Sequence, residues 1–238
     1  MKKLLLILLC LPLLGFGQLT MIPDPAFEQF LINEGYDTGP INGSVYTVFI
    51  DTVTYLDLST ASSSFLYISD LTGIEGFSSL QYLDCSNLYN PLASSLTSLD
   101  VSQNTALTYL DCSGNRLQSL NVSNLTALTY LDCSTPLSML GSLITSLDVS
   151  SLTSLTYLNC YGNSITSLDV SNNTALTYLN CGYNSLISLD VIGASALTTL
   201  HCGINQLTSL DVSSLTALTY FYCESNSLTS LDVSNNTA

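Results

Sequence analysis

Positive charge is nearly absent from this chain of 238 residues, which has three Lys and Arg residues against 18 Asp and Glu residues. Two of the three cations, Lys2 and Lys3, belong to the extreme N-terminus, so Arg116 is the only one in the rest of the chain. A surface this acidic repels phosphate groups and anionic lipid headgroups. The composition therefore argues against nucleic acid and against membrane surfaces as partners.

Histidine, the commonest general acid or base, is also scarce, because His201 is the only one in the chain. No set of nucleophile, base and orienting group can be assembled around His201, which falls in a repeated position and is interpreted as a surface variant. The carboxylates recur in columns and do not form one pair with contrasting environments. The sequence therefore predicts a protein that is not an enzyme and that has no cofactor or metal centre.

Long apolar runs are missing except at the N-terminus. Leu4 to Leu14 form an apolar stretch after Lys2 and Lys3, and Gly15-Phe16-Gly17 resembles a cleavage site with small residues. This arrangement is typical of a secretory signal peptide over residues 1–17, with a retained membrane anchor as the alternative. No membrane insertion is expected after signal cleavage, and the mature protein is predicted to be secreted or held at a bacterial cell surface.

Cysteine, in contrast, recurs at a fixed phase. The surrounding sequence of Cys112 reads L-x-x-L-x-C-x-x-N-x-L, and the same phrase returns along the chain. Successive members are separated by one of two spacings, a longer one as from Cys85 to Cys112 and a shorter one as from Cys112 to Cys133. Periods in this range indicate a solenoid of stacked coils. The seven members are Cys85, Cys112, Cys133, Cys160, Cys181, Cys202 and Cys223.

The phase of these cysteines bears on their chemistry. Equivalent residues on stacked coils lie ~4.8 Å apart with parallel side chains. A disulfide requires Cβ atoms roughly 3.5–4.5 Å apart and a torsion near 90°. The favoured interpretation is therefore a column of buried free thiols that act as small apolar groups, and disulfides are the alternative.

The chain is predicted to have an N-terminal cap over 18–52 and repeats over 53–238. In the cap, Asp24 and Pro25 are expected to start a helix that ends near Asn33–Gly35, and Val45–Ile50 is expected to be a strand. The repeats contain eight strand phrases and a second phrase, L-D-V-S, with strand-like alternation. The last repeat is incomplete, so a truncated product with a fraying or self-associating end is expected.

The full repeat, L-T-x-L-x-C-x-x-N-x-L-T-S-L-D-V-S-x-N-T-A, resembles the cysteine-ladder leucine-rich repeats of internalin J-like secreted bacterial surface proteins. The resemblance covers about residues 53–238. It implies a β-rich, right-handed superhelix of about eight coils, with short strands on the front face, extended backbone on the back and a small α-helical cap. It also implies a function in host or surface binding. Leu58 replaces the cysteine of the pattern, and Leu88 and Pro136 replace its turn asparagine.

Two outward columns flank the inward leucines of the predicted front strands. Tyrosine offers an apolar ring and a hydroxyl group, so the columns form a candidate surface for protein or glycan recognition. The alternative is that tyrosine is present because it favours strands and stacks on itself. The candidate residues are Tyr82, Tyr109, Tyr130, Tyr157, Tyr178 and Tyr220 in one column and Asp84, Asp111, Asp132 and His201 in the other.

The two longer coils after Cys85 and Cys133 carry about six extra residues at the same corner, which suggests additional binding loops or tolerated surface drift. Their candidate residues are Tyr89, Asn90, Pro136 and Met139. A further aspartate column, in the second phrase on the back, is expected to be solvated or to cap turns, and weak calcium binding is the second hypothesis for it. Its members are Asp57, Asp100, Asp148, Asp169, Asp190, Asp211 and Asp232.

These observations favour a non-enzymatic surface protein that binds a protein or glycan through its front face. The alternative is a structural spacer that belongs to a larger surface protein and has no ligand on these repeats.

Overall fold

The front of the molecule is one parallel sheet of eight short strands, in a computed structural model that describes residues 17–59, 67–87, 96–136 and 143–238. Each strand has three residues, and consecutive coils supply neighbouring strands. This sheet confirms the predicted leucine-rich-repeat solenoid. Its strands are β3 (Tyr55–Asp57), β4 (Tyr82–Asp84), β5 (Tyr109–Asp111), β6 (Tyr130–Asp132), β7 (Tyr157–Asn159), β9 (Tyr178–Asn180), β11 (Thr199–His201) and β12 (Tyr220–Tyr222).

The strands pair in one register throughout, although the coils differ in length. Tyr82 is opposite Tyr109 across one of the longer coils, and Tyr109 is opposite Tyr130 across one of the shorter coils. The register is kept because each strand ends before its cysteine, and the extra residues come after the cysteine in the sequence. Residues 88–95 and 137–142, which include the predicted corner insertions, fall outside the described ranges.

The central residue of each front strand points inward and fills the core. Leu83, Leu110, Leu131, Leu158 and Leu179 are all fully buried. A buried leucine stabilises the fold by about 2 kcal/mol relative to an exposed one. The alternation of one inward leucine between two outward polar or aromatic residues therefore fixes which side of each strand faces the core.

A column of asparagines holds the turns that follow the front strands. The Nδ2 group of Asn184 donates to the carbonyl oxygens of Cys160 (3.0 Å) and Cys181 (3.1 Å). Its Oδ1 atom accepts from the backbone N–H of Ile165 at 3.0 Å. This geometry confirms that an inward asparagine pairs backbone groups that would otherwise be buried without a partner. The column consists of Asn115, Asn163, Asn184, Asn205 and Asn226.

The back of the solenoid is extended but carries less regular sheet than the front. Only β8 (Ser167–Asp169) and β10 (Ser188–Asp190) pair as parallel strands within the described ranges of the back. In the preceding coils the same phrase buries its valine without forming a ladder, as at Val122 and Val149, whereas Leu231 and Val233 of the last coil are exposed. The expectation of extended backbone on the back is confirmed, and ordered strands are confined to two coils.

The described N-terminal region, 17–52, contains two helices and a small two-stranded antiparallel sheet. Strand β1 (Leu19–Met21) pairs antiparallel with β2 (Ser44–Tyr46), and helix α1 (Pro25–Asn33) lies between them in the chain. Helix α2 (Thr47–Ile50) follows β2 directly. The prediction of a strand over 45–50 is therefore wrong beyond Tyr46. Tyr46 pairs with the first residue of β1, so the ladder ends there, and the chain turns into α2 and buries Ile50.

Asp24 begins α1 as predicted and also joins it to the first coil. Its Oδ1 atom accepts from the N–H groups of Ala26 (2.8 Å) and Phe27 (3.1 Å). Its Oδ2 atom accepts from the N–H groups of Ser69 (2.8 Å) and Asp70 (3.0 Å). Burial acts to raise the pKa of Asp24, but these hydrogen bonds outweigh it and lower the pKa. One carboxylate thus stabilises both the helix and its attachment to the repeats.

Candidate functional site

The outward tyrosines of the front sheet form a continuous stack of parallel rings. Neighbouring ring centroids are 4.2–4.5 Å apart, and the angles between ring planes fall from 14° at one end to 4° at the other. The parallel register brings equivalent side chains one strand spacing apart, which permits offset stacking. We call this stack the tyrosine ladder, and its members are Tyr55, Tyr82, Tyr109, Tyr130, Tyr157 and Tyr178.

Stacking changes what the tyrosine ladder presents to solvent. Each inner ring has both faces covered by its neighbours, so the exposed parts are the ring edges and the hydroxyl groups. Burial, together with the neighbouring phenols and Asp132, raises the pKa of Tyr130 and raises that of Tyr157 to about 12. The hydroxyls therefore remain neutral hydrogen-bonding groups at physiological pH.

The second outward column lies beside the tyrosine ladder and changes character along the solenoid. We call its first four members, Asp57, Asp84, Asp111 and Asp132, the front aspartates. The sequence prediction that Asp57 belongs to the back column is wrong, because Asp57 ends β3 of the front sheet. Beyond Asp132 the column continues with Asn159, Asn180, His201 and Tyr222.

Asp111 lies between two other carboxylates of the front aspartates. Burial raises the pKa of Asp111 to about 6, and repulsion from Asp132 and Asp84 adds to the rise, against hydrogen bonds from Ser113 that lower it. Asp132 is 8% exposed, and its Oδ2 atom accepts from the Nδ2 group of Asn159 at 2.9 Å. The asparagine that replaces aspartate in β7 thus neutralises one end of the charged row.

The back aspartates serve as turn caps. In each case an Oδ1 atom accepts from the backbone N–H two residues later, as from Ser150 to Asp148 at 2.9 Å and from Ser171 to Asp169 at 2.8 Å. The pKa of Asp148 is lowered by its hydrogen bonds with Ser150. The predicted capping role is confirmed at Asp100, Asp148, Asp169, Asp190, Asp211 and Asp232. In the described part of the chain, no group of three or more His, Cys, Asp or Glu residues could hold a metal ion.

The seven phased cysteines are free thiols that point into the core. Six are buried, and Cys223 is partly exposed. Burial raises the pKa of each, that of Cys202 to about 12, which keeps the sulfur protonated and unreactive. Two of the thiols lie 3.4 Å from a carbonyl oxygen of the next coil, Cys112 near Asp132 and Cys181 near His201.

Comparisons with known proteins agree with this architecture, although no protein-family model and no curated protein sequence matches the chain. The solved functional domain of internalin J from Listeria monocytogenes, which includes a cysteine ladder, is similar over 93% of this chain, with 34% identity and a TM-score of 0.65. The chain spans 51% of that structure. Internalin C2 from Listeria monocytogenes matches over 91% of both chains, with 22% identity and a TM-score of 0.70, which supports the fold.

The buried cysteine column, together with this similarity, decides the family. The chain is an internalin-like leucine-rich-repeat protein with a cysteine ladder. Its fold is a protein-interaction fold. A further structure with 20% identity, the ectodomain of the plant receptor kinase GASSHO1 from Arabidopsis thaliana, matches 67% of this chain and 20% of its own length, with a TM-score of 0.54.

The front face of this internalin-like protein brings together most of the predicted site residues. Tyr220 belongs to the same column but is separated from the tyrosine ladder by Thr199. His201 stacks on Tyr222 at 4.4 Å. Of the corner-loop candidates, Pro136 is exposed, and Tyr89, Asn90 and Met139 lie outside the described residues.

Prediction from the sequence missed two features of the front face. Tyr55 extends the tyrosine ladder by one rung, and the available signal was that it precedes Tyr82 by the same interval as Tyr82 precedes Tyr109. A column of threonines also joins the coils, because each Oγ1 hydroxyl donates to a carbonyl of the preceding coil, as from Thr129 to Thr108 at 2.9 Å. Within the described ranges, none of the helices has the length and apolar character needed to cross a bilayer.

Proposed function

We propose that this internalin-like protein is a secreted or cell-surface binding protein that recognises a protein partner through its front face. The observation that carries the proposal is the pairing of the tyrosine ladder with the front aspartates on one exposed sheet. Tyrosine edges and hydroxyls beside carboxylates supply many hydrogen-bonding groups on a rigid support. A glycan is the second ligand class that such a surface fits. Signal cleavage after residue 17 and the division into a cap over 18–52 and repeats over 53–238 remain predictions.

The proposed role is non-enzymatic. The ring neighbours of His201, the single histidine, are Tyr178 and Tyr222, so the imidazole lies in an aromatic stack. The carboxylates of the front face repeat from coil to coil, whereas an active site requires unlike groups that converge. Weak calcium binding along the back aspartates remains a hypothesis, supported only by the second carboxylate oxygen of each turn cap.

A structural spacer is the second candidate function, and one observation favours it. Stacking covers both faces of each inner ring of the tyrosine ladder, so the rings stabilise neighbouring coils whether or not a partner binds. Under this hypothesis the front face is a stiffening element, and the repeats hold other parts of a surface protein at a distance.

The two proposed functions predict different effects of front-face substitutions on ligand binding. We suggest the triple variant Asp84→Asn, Asp111→Asn and Asp132→Asn, in which each side chain keeps its turn-capping oxygen and loses its charge. The matched control is Asp148→Asn, Asp169→Asn and Asp190→Asn, which makes the same change in charge on the back. Binding to panels of extracellular proteins and of glycans is then measured by surface plasmon resonance.

The binding proposal predicts a ligand that binds the wild type and the back variant equally and binds the front variant about tenfold or more weakly. Substitution of Tyr109, Tyr130 and Tyr157 by phenylalanine is expected to weaken the same ligand, because it removes the exposed hydroxyls and retains the stack. If every ligand binds the front variants as tightly as the wild type, the spacer is the correct function.

A further inference from the structure

The column that contains the tyrosine ladder lacks one aromatic rung, at Thr199 of β11. Thr199 is paired with Tyr178 on one side and with Tyr220 on the other. Thr199 has no ring, so the parallel stacking of the tyrosine ladder ends at Tyr178, whose ring neighbour on β11 is the tilted imidazole of His201. Tyr220 is 61% exposed and makes no ring contact in the part of the chain that the structure describes.

The strand spacing leaves room for one flat group. The backbones of Tyr178 and Tyr220 are two strand spacings apart, which is ~9.6 Å. Rungs within the tyrosine ladder are 4.2–4.5 Å from each other, so two such spacings match the thickness needed for a single planar group between two rings. The imidazole of His201 borders the gap, tilted at 6.1 Å from the ring of Tyr178. We call this gap the Thr199 slot.

Electrostatics favour a cation in the Thr199 slot. The faces of aromatic rings are electron-rich and attract positive charge. The whole chain has a formal net charge of −15, and the carboxylate of Glu224 lies against Gly203, two residues beyond His201 on the same coil. Among cationic side chains, arginine is planar, weakly hydrated and able to stack on aromatic faces, whereas the lysine ammonium is compact and strongly hydrated.

We propose that the Thr199 slot holds the guanidinium group of an arginine side chain on a protein partner. The proposal rests on the proposed function, since it names the chemistry of one contact on the same front face. The planar cation takes the place of the missing rung between Tyr178 and Tyr220, and the acidic surface around it attracts the basic segment that carries it.

The test uses the purified protein and small probes, so it does not depend on knowing the partner. N-acetyl-arginine amide is titrated into protein with ¹³C-labelled tyrosine and histidine rings, and the ring signals of Tyr178, His201 and Tyr220 are followed by NMR. The comparison probes are N-acetyl-citrulline amide, which is planar and neutral, N-acetyl-lysine amide, which is cationic and not planar, and N-acetyl-tryptophan amide, which is aromatic.

We expect the arginine probe to give saturable shifts confined to these rings, and the citrulline and lysine probes to bind about tenfold more weakly. Thr199→Tyr, which fills the slot with a protein ring, is expected to abolish the response. Thr208→Tyr, on the same coil in an exposed position, is the control and should retain it. Native circular dichroism of both variants establishes that they fold.

Equal binding of the citrulline probe, tighter binding of the tryptophan probe, or an unchanged response in Thr199→Tyr would overturn the proposal. None of these results bears on the front aspartate variants. A failed slot therefore leaves the front face as a candidate binding surface, whereas front variants that bind every ligand normally remove the proposed function itself.

Discussion

At the residue scale, Asp111 occupies a position that lowers the stability of the fold at neutral pH. Burial raises its pKa to about 6 from an ordinary value of 3.8, and Asp84 and Asp132 on the flanking strands add repulsion. A raised carboxyl pKa means that the folded state prefers the protonated form. This contribution to stability is present below pH ~4 and is lost as the pH rises through about 6.

Asp111→Asn is therefore expected to stabilise the protein at pH 7, by on the order of 1–2 kcal/mol after allowance for solvent screening. Asn159 and Asn180 occupy the same column naturally, so the substituted side chain fits the site. Urea unfolding between pH 4 and pH 8 measures the effect, with Asp148→Asn on the back as control. If the free energies of unfolding of the wild type and of Asp111→Asn change in parallel over this range, the charge of Asp111 does not destabilise the folded state.

In five coils, the residue two positions after the phased cysteine adopts a left-handed backbone conformation. Gly114 and Gly162 have φ values of 69° and 73° and pack against carbonyls of the preceding coil. Tyr183, Ile204 and Ser225 adopt similar φ values of 52–56° without the freedom of glycine. Left-handed backbone is unfavourable for a side chain, above all a β-branched one, so the repeat tolerates local strain to keep its turn.

At the element scale, each turn depends on one inward asparagine. Asn184→Ala removes its hydrogen bonds to the carbonyls of Cys160, Cys181 and Gly182 and to the N–H of Ile165. Because these backbone groups lie in the interior, we expect a loss of about 3 kcal/mol or more in the free energy of unfolding. Amide hydrogen exchange should show Ile165 losing protection first.

The control is Asn172→Ala, in an exposed position after the back strand β8, which should change the free energy of unfolding by less than about 0.5 kcal/mol. Equal effects of the two substitutions, measured by urea unfolding, would show that the asparagine column does not hold the turns.

The repeated elements were predictable from sequence because their phase is strict. Cysteine spacing indicates the strand register, and the alternation around Leu110 and Leu131 indicates which side faces the core. The face-to-face stacking of the tyrosines was open in the sequence, because it depends on side-chain rotamers that spacing does not determine. Asp57 was assigned to the wrong column, although Leu58 beside it was matched to the cysteine of the front phrase, because an isolated L-D-L also resembles the back phrase.

The N-terminal region was less predictable, because it does not repeat. Val45–Ile50 reads as a strand by composition, but only Ser44–Tyr46 finds a partner, and the rest becomes a turn of helix. The contact from Asp24 to Ser69 and Asp70 joins segments far apart in the chain, which no local pattern reveals.

At the scale of the whole molecule, stability comes from columns of identical side chains that join neighbouring coils. Asparagine, threonine, tyrosine and cysteine each form such a column, so the free energy of unfolding is expected to be a sum of similar coil-to-coil terms. Loss of one rung weakens the coils beside it and leaves distant ones intact. The same regularity makes the solenoid stiff, as both a binding surface and a spacer require.

Thiol labelling tests this account most directly, because all the assignments of faces depend on an inward cysteine column. Native protein is treated with iodoacetamide, and the labelled positions are read by mass spectrometry over time. We predict that the partly exposed Cys223 reacts first and that Cys85, Cys112, Cys133, Cys160, Cys181 and Cys202 react only when the solenoid unfolds. Rapid labelling of all seven in the native state, or their recovery as cross-linked pairs, would contradict the account.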